Sequence, residues 1–419
     1  MLTAATATGN EIPSGVFDEI SPLRAVMVHR PGIEMERLTP QTREQFLFDE
    51  VLWLERARAQ HDAFTDLLRT EGAEVLELRD LLRDLLEDPD AREELLAGVL
   101  DPAFLGAIAA QDLTEALAAL PSVQLVDFLV GGITVAEVLE LGVQPRSIYL
   151  QTLGVDELVL APLPNHLFTR DTSAWVGSSV SISPMRHTAR RRESLHLEAI
   201  YRRHPRFQGI GAPSTIHSDD PRHRTAATVE GGDVMVLSEH TVAIGLSERT
   251  STIGVEHLAG RLLSSGTVQR VIAIALPHQR AMMHLDTVTT VVDPETMVRY
   301  GLLGNLETFE VERRGERLTT RARAADEMDD ALAAGLGVPK LRVLTPNLDA
   351  YSAQREQWDD GCNMLAVAPG RVIAYERTAA TNDHLRRHGI EVLEFPGDEL
   401  GRGRGGPRCM SCPIARERG

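Results

Sequence analysis

Residues Val255 to Leu276 read VEHLAGRLLSSGTVQRVIAIAL. Val255–Ser264 is expected to be a helix, Gly266 its stop, and Arg270–Leu276 a short apolar strand. The same order returns along the chain. A helix from about Thr42 to Thr70, with Leu47, Val51, Leu54, His61 and Leu68 near one face, ends at Gly72 and leads into a strand at Ala73–Leu78. Asp330–Ala334, Gly335 or Gly337, and Leu341–Leu344 repeat it, as do Asn382–Arg387, Gly389 and Ile390–Phe395. A weaker fifth copy starts at Glu193–Arg203 and runs toward Ile216. An opening strand is expected at Arg24–Val28, before the Pro31-Gly32 turn. Repeated helix–strand units without glycine-rich phosphate loops suggest similar α/β modules arranged around an axis. A doubly wound α/β sheet gives the same alternation, and the pattern leaves both open.

From Asp80 to about Gly142 the character changes. Leu, Ala, Asp and Glu dominate, with Asp-Pro pairs at 88–89 and 101–102. Short helices with little strand signal are expected there. The division that follows is a catalytic α/β domain from 1–79 and 151–419, with a helical subdomain inserted at 80–150.

Composition excludes several classes of function. The net charge of −18 argues against an extended nucleic-acid surface, which needs a basic face. Lys340 is the only lysine among 43 basic residues, and no phosphate-loop or Schiff-base motif surrounds it. The remaining basic side chains are arginines, which stay protonated and form neither Schiff bases nor ordinary general bases. Three cysteines, at 362, 409 and 412, are too few for a disulfide framework and suit a reducing, cytoplasmic compartment. Met1–Gly15 carries no secretory signal, and the apolar stretch Leu113–Val143 is broken by charges and proline, so no membrane span is expected.

The chemistry-bearing residues gather in a few loops. Gly401-Arg-Gly-Arg-Gly-Gly-Pro-Arg-Cys409-Met-Ser-Cys412-Pro sets a cysteine among glycines and arginines. Glycine lets backbone approach a ligand, and nearby Arg402, Arg404 and Arg408 would favour a thiolate nucleophile. A redox pair of Cys409 and Cys412 is the competing reading, and a structural zinc site would lack ligands. Met283-His284-Leu285-Asp286-Thr287 places His and Asp two apart in an expected strand, hence on one face. Glu230-Gly-Gly-Asp233 sets two carboxylates around a turn before the strand Val234–Leu237. Phe168-Thr-Arg-Asp171-Thr follows the stiff Pro162-Leu-Pro-Asn165, and Ser247-Glu-Arg249-Thr closes another strand.

Taken in order, LPNHLFTRDT, EGGDV, GLSERT, MHLDT, REQWDDG and GRGRGGPRCMSCP resemble the arginine deiminase family along nearly the whole chain. The match is weakest at 80–150 and 300–335. The resemblance implies a five-fold pseudo-symmetric α/β propeller of ββαβ modules with an inserted helical subdomain. It implies hydrolysis of L-arginine to citrulline and ammonia without cofactor or metal, and a homo-oligomer with no nucleic-acid or membrane partner. It also implies roles. Cys409 would be the nucleophile and His284 the acid and base. Glu230 would orient His284, and Asp171 and Asp286 would hold the guanidinium. Arg190, Arg249 and Arg404, with Asn165, would grip the α-carboxylate beside Phe168, and Asp233 would support its loop from behind. Cys362 has no assigned chemistry and is expected to be a buried structural thiol.

Three rivals are weighed against this reading. A related guanidino hydrolase or amidinotransferase would use a similar set, although three arginines for an α-carboxylate argue against agmatine. A thiol oxidoreductase would need Cys412 as well as Cys409. A non-catalytic arginine sensor has no use for a complete Cys, His and acid set.

Overall fold

The repeat is the organising unit of the computed structural model, which describes residues 15–207 and 227–418. An antiparallel hairpin is followed by a helix and then by a strand parallel to the hairpin's second strand. Val234–Ser238 and Thr241–Leu246 form one hairpin, and Thr252–Ser264 is its helix. Arg270–Ala275 then pairs with Thr241–Leu246 from Thr241↔Arg270 to Leu246↔Ala275. Thr289–Asp293, Thr296–Arg299, the helix Met328–Leu336 and Arg342–Leu344 repeat the order. So do Leu365–Ala368, Arg371–Tyr375, Ala379–Arg387 and Glu391–Phe395. Another unit joins the two ends of the chain: Cys412–Arg416 pairs with Leu23–Val28, the helix Leu54–Thr70 follows, and Glu74–Glu77 closes it. The hairpin Ser173–Val176 and Ser179–Ile182 is followed by the helix Arg191–Arg203. The rest of that expected copy, through Ile216, lies outside the described residues, as does the expected signal-free segment up to residue 14.

The glycine that punctuates each unit has a backbone cause. Gly72, Gly266, Gly337 and Gly389 adopt φ of +86°, +74°, +75° and +87°, the left-handed region where a Cβ is strained. Strands such as Arg270–Ala275 are buried on both faces at Val271, Ile272, Ala273 and Ile274, which is why they read as unbroken apolar runs. The extra hairpin Thr308–Arg314 and Arg317–Arg323 extends this sheet on the Arg270–Ala275 side. It accounts for part of the stretch where the sequence resemblance is weakest.

One expected helix is shorter than its periodicity suggests. It starts at Leu54, not near Thr42, and residues 39–53 form turns with Leu47 at φ +64°. Phe46, Phe48 and Leu52, which lie off the expected helical stripe, are the residues buried in the core here. Phe48 stacks on Phe168 with ring centroids 6.0 Å apart, and Asn165 donates to the Phe46 carbonyl at 2.7 Å. Tertiary packing outweighs local helix propensity here.

The segment from Leu78 to Thr152 is almost wholly helical. Its Asp-Pro pairs are helix starts: Asp88 and Asp101 accept from the amides of Asp90 and Ala103, and Pro89 and Pro102 take the first helical position. Leu82, Leu96 and Leu129 share one apolar cluster with Val176 and Val242 of the hairpins. Among the described residues no helix is long and apolar enough to cross a membrane.

Candidate active site

The residues singled out for chemistry occupy equivalent places in the units. Asp171 precedes the strand at 173, Glu230 and Asp233 the strand at 234, His284 and Asp286 the strand at 289, and Cys409 the strand at 412. Each thus lies one to five residues before the first strand of its hairpin, and Cys409, Asp171, Glu230, His284 and Asp286 are at most 3% exposed. The polar approach to each hairpin therefore feeds one buried centre.

The expected strand through Met283–Thr287 is a turn instead. Leu285–Thr287 is a single 3-10 turn, and the strand begins only at Thr289. The Leu285 amide donates to Asp233 Oδ1 at 2.8 Å and Thr287 Oγ1 to the His284 carbonyl at 2.7 Å. These bonds replace ladder bonds and turn the two side chains toward different partners. Asp233 is completed by the Ser247 hydroxyl at 2.6 Å, and burial pushes its pKa up to about 7.

His284 Nε2 lies 2.9 Å from Glu230 Oε2, and its Nδ1 lies 3.6 Å from Asp171 Oδ1. Burial alone would favour the neutral ring, but Asp171 and the Glu230 hydrogen bond hold its pKa up to about 9. Glu230 is itself held below the usual carboxylate range: burial opposes this, and Arg249 and His284 outweigh burial. The second glycine of the Glu-Gly-Gly-Asp turn is required by close approach. A Cβ on Gly232 would stand 2.6 Å from His284 Nδ1 and 3.0 Å from Asp171 Oδ1.

Cys409 Sγ lies 3.8 and 3.7 Å from the two Asp286 oxygens. Burial, Asp286 and Asp171 hold this thiol well above its ordinary pKa. Asp286 is gripped by Arg408 Nη1 at 2.8 Å, and Arg408 Nη2 also lies 3.2 Å from the buried Glu19. Cys412 Sγ has other surroundings, 3.5 Å from Ser173 Oγ and 4.0 Å from the Tyr201 hydroxyl. All three cysteines are free thiols, and Cys362 is buried.

The remaining expected residues divide. Arg249 reaches the centre, with Nη1 3.3 Å from Glu230 Oε2. Arg190 is wholly enclosed: Nη1 donates to Asp171 at 2.6 Å, Nε and Nη2 to Glu193 at 3.0 and 2.9 Å, and Nη2 to the carbonyls of Asn165 and Phe168 at 3.1 and 3.5 Å. Arg404, by contrast, is not brought to the cluster. It lies flat over Trp358 with Cζ 3.7 Å from the ring centroid and donates to the Trp358 carbonyl.

Asn363 is a residue that pattern reading missed. Its Nδ2 lies 3.0 Å from Cys409 Sγ, and its Oδ1 accepts from the Cys409 amide at 3.0 Å. The available signal was positional, because Asn363 stands before the strand Leu365–Ala368 as Asp171 stands before Ser173–Val176. Glu193 was missed as the carboxylate opposite Arg190.

The centre is rich in carboxylates and contains one thiol and one imidazole. That combination suits a planar cation: Asp171 Oδ1 is buried with no hydrogen-bond partner and can accept from an incoming N–H. Asp171, Glu230 and His284 also carry three ligand atoms within 4.8 Å of one another, a set a divalent cation could use. Arg190 and Arg249 already compensate two of those groups.

The chain is similar to known proteins in fold and in sequence. Solved structures of similar fold include an amidinotransferase of saxitoxin biosynthesis from Microseira wollei, with 14% identity, a TM-score of 0.58, and 97% of this chain and 98% of that chain covered. A dimethylarginine dimethylaminohydrolase mutant from Pseudomonas aeruginosa, complexed with citrulline, matches with 14% identity and a TM-score of 0.53 over 94% of this chain and all of that one. At such identities the likeness concerns the mixed α/β fold. Sequence relatives named arginine deiminase, from Rhodococcus opacus and Rhodococcus jostii, are each 43% identical over 97% of this chain and 98% of their own length. The family profile described as arginine deiminase matches residues 44–416, and the chain belongs to the arginine deiminase family.

Proposed function

We propose that the chain hydrolyses L-arginine to L-citrulline and ammonia, with Cys409 as nucleophile and His284 as acid and then base. The observation that carries this reading is the buried thiol of Cys409 against Asp286, within a centre that also holds Asp171, Glu230 and a raised-pKa His284.

The steps follow from charge. The guanidinium enters between Asp171 and Asp286, which accept its N–H bonds and hold positive charge on the reacting carbon. The cation offsets the carboxylates that keep Cys409 protonated, so the thiol gives up its proton and the sulfur attacks that carbon. His284, as imidazolium, protonates the departing nitrogen, and ammonia leaves behind a covalent thiouronium. Water then attacks, His284 takes its proton, and the carbon–sulfur bond breaks to release citrulline. The proton first released by Cys409 passes through solvent and leaves with ammonia as ammonium, and the hydroxyl proton of the water adduct returns to the sulfur as the carbon–sulfur bond breaks. Glu230 keeps His284 charged and oriented, and Asp233 holds the turn that carries it.

At the other end of the substrate, Arg190, Arg249, Arg404 and Asn165 would receive the α-carboxylate, beside Phe168. Arg190 can release its two longest bonds, to the Asn165 and Phe168 carbonyls, whereas Arg404 has to leave Trp358. The placement of each donor before a hairpin supports a five-fold pseudo-symmetric propeller of ββαβ modules, with 1–79 and 151–419 forming the catalytic domain and 80–150 an inserted helical subdomain. Exposed Phe104, Ile108 and Ile148 on that helical stretch favour a homo-oligomer, and three free thiols suit the cytoplasm.

The test is release of citrulline and ammonia from L-arginine, with chelator present, by the native chain and by Cys409→Ala. Equimolar products from the native chain alone are expected. Products from both, or from neither, would contradict the reading.

A further inference from the structure

Four units each send an acid, a histidine or the thiol into the centre from just before their first strand, and the fifth sends Asn363. Its side chain has no freedom. One amide N–H points at Cys409 Sγ, 3.0 Å away, and the same nitrogen donates to the Asp286 carbonyl at 3.1 Å. Oδ1 accepts the Cys409 amide at 3.0 Å. Gly406 packs so closely that a Cβ there would stand 2.5 Å from the Asn363 carbonyl and 2.8 Å from Oδ1. Asn363 is fully buried, and among the described residues its amide nitrogen has two acceptors, the Asp286 carbonyl and the sulfur.

We propose that Asn363 is the neutral donor that stabilises the Cys409 thiolate, and that its oxygen fixes the thiol's backbone in attacking position. The proposal rests on the reading of Cys409 as nucleophile. A sulfur flanked by Asp286 and near Asp171 and Asp360 has to become an anion among carboxylates. A lysine or free arginine at its side would do this, but would also repel the guanidinium the pocket has to attract. An amide dipole favours the anion without adding a cation. The amide N–H accepts no proton at any step, so it serves both the attack on arginine and the expulsion of the sulfur by water.

Two substitutions separate donation from shape. Asn363→Asp keeps the outline and the acceptor for the Cys409 amide but loses the donor; Asn363→Ala loses both. The probe is iodoacetamide labelling of Cys409 without substrate, followed by peptide mapping across pH. The pH at which Cys409 becomes reactive should rise by about one unit or more in both variants, and further in the aspartate form. kcat for arginine should fall about a hundredfold with KM changed only a few-fold. An aspartate variant that labels and turns over like the native chain, or failure of both variants to fold, would assign Asn363 to structure and overturn the proposal. Because labelling needs no substrate, a shifted profile in a chain that never hydrolyses arginine would leave the amide's role standing and discard the hydrolase reading.

Discussion

The chain buries histidine in two neighbouring places and treats it in opposite ways. His284 sits among Asp171, Glu230 and Asp233 and keeps its proton up to about pH 9. His61, His166 and His196 form a second group, and His29 beside them faces Glu34 at 3.1 Å. His166 and His196 share a 2.9 Å hydrogen bond, and the His29 ring lies tilted by 47° with its centroid 5.5 Å from that of His166. Burial lowers His61 and His196 to about 3 and His166 well below its ordinary value. Burial is nearly the same in both places, so the sign of the shift is set by whether carboxylates face the ring. The charged ring is the one the proposed hydrolysis would use for proton transfer.

The largest contrast to break is at His284. His284→Ala should lower kcat by about 10³-fold or more, since both the ammonia and water steps lose their proton carrier; steady-state citrulline release measures it. Glu230→Gln should cost about 10²-fold and remove one of the groups holding the ring charged. In the native chain, stability contributed by the raised His284 pKa is complete below the unfolded value near 6.5 and is lost as pH rises through about 9. Glu230→Gln should flatten that alkaline loss in denaturant titrations, and an unchanged slope would mean the charge is held by other groups. Gly232→Ala presses a methyl against the ring and should lower kcat about tenfold to a hundredfold with the fold retained by circular dichroism.

Smaller effects sharpen the comparison. Under the proposed function Arg404 leaves Trp358 to grip only the far end of the substrate, so Arg404→Ala should raise KM about tenfold and leave kcat within a few-fold. His61→Leu should leave activity unchanged. Both of its ring nitrogens are buried without partners, so its loss at neutral pH should change stability by less than about 1 kcal/mol. The depressed pKa of His61 gives stability that is present above about 6.5 and lost as pH falls toward 3, the unfolded chain taking up the proton first. His61→Leu should therefore resist acid unfolding better than the native chain at pH 4–5.

Much of this centre was legible in the sequence because it is local. Glu-Gly-Gly-Asp has to be a tight turn, and the repeated helix–glycine–strand order follows from left-handed helix ends at Gly72, Gly266, Gly337 and Gly389. The errors came where distant residues compete for the backbone. Asp233 captures the Leu285 amide and makes a turn of an expected strand, and the stretch expected to open a helix turns instead so that Phe48 stacks on Phe168. Asn363 carries no charge and lies two residues beyond REQWDDG, so composition does not mark it. Only the superposed position before each hairpin does. The place of Arg404 over Trp358 depends on a stacking partner 46 residues away, which spacing cannot reveal.

The central claim is that Cys409 bonds to the guanidinium carbon. The most direct test is intact-mass spectrometry of the enzyme quenched in acid milliseconds after mixing with L-arginine, with peptide mapping of any adduct. The account predicts a transient mass gain equal to arginine less ammonia, carried on Cys409 and longer-lived when His284 is replaced by a residue that still allows the first step. Rapid product formation with no adduct on Cys409, or an adduct on Cys362 or Cys412, would contradict it.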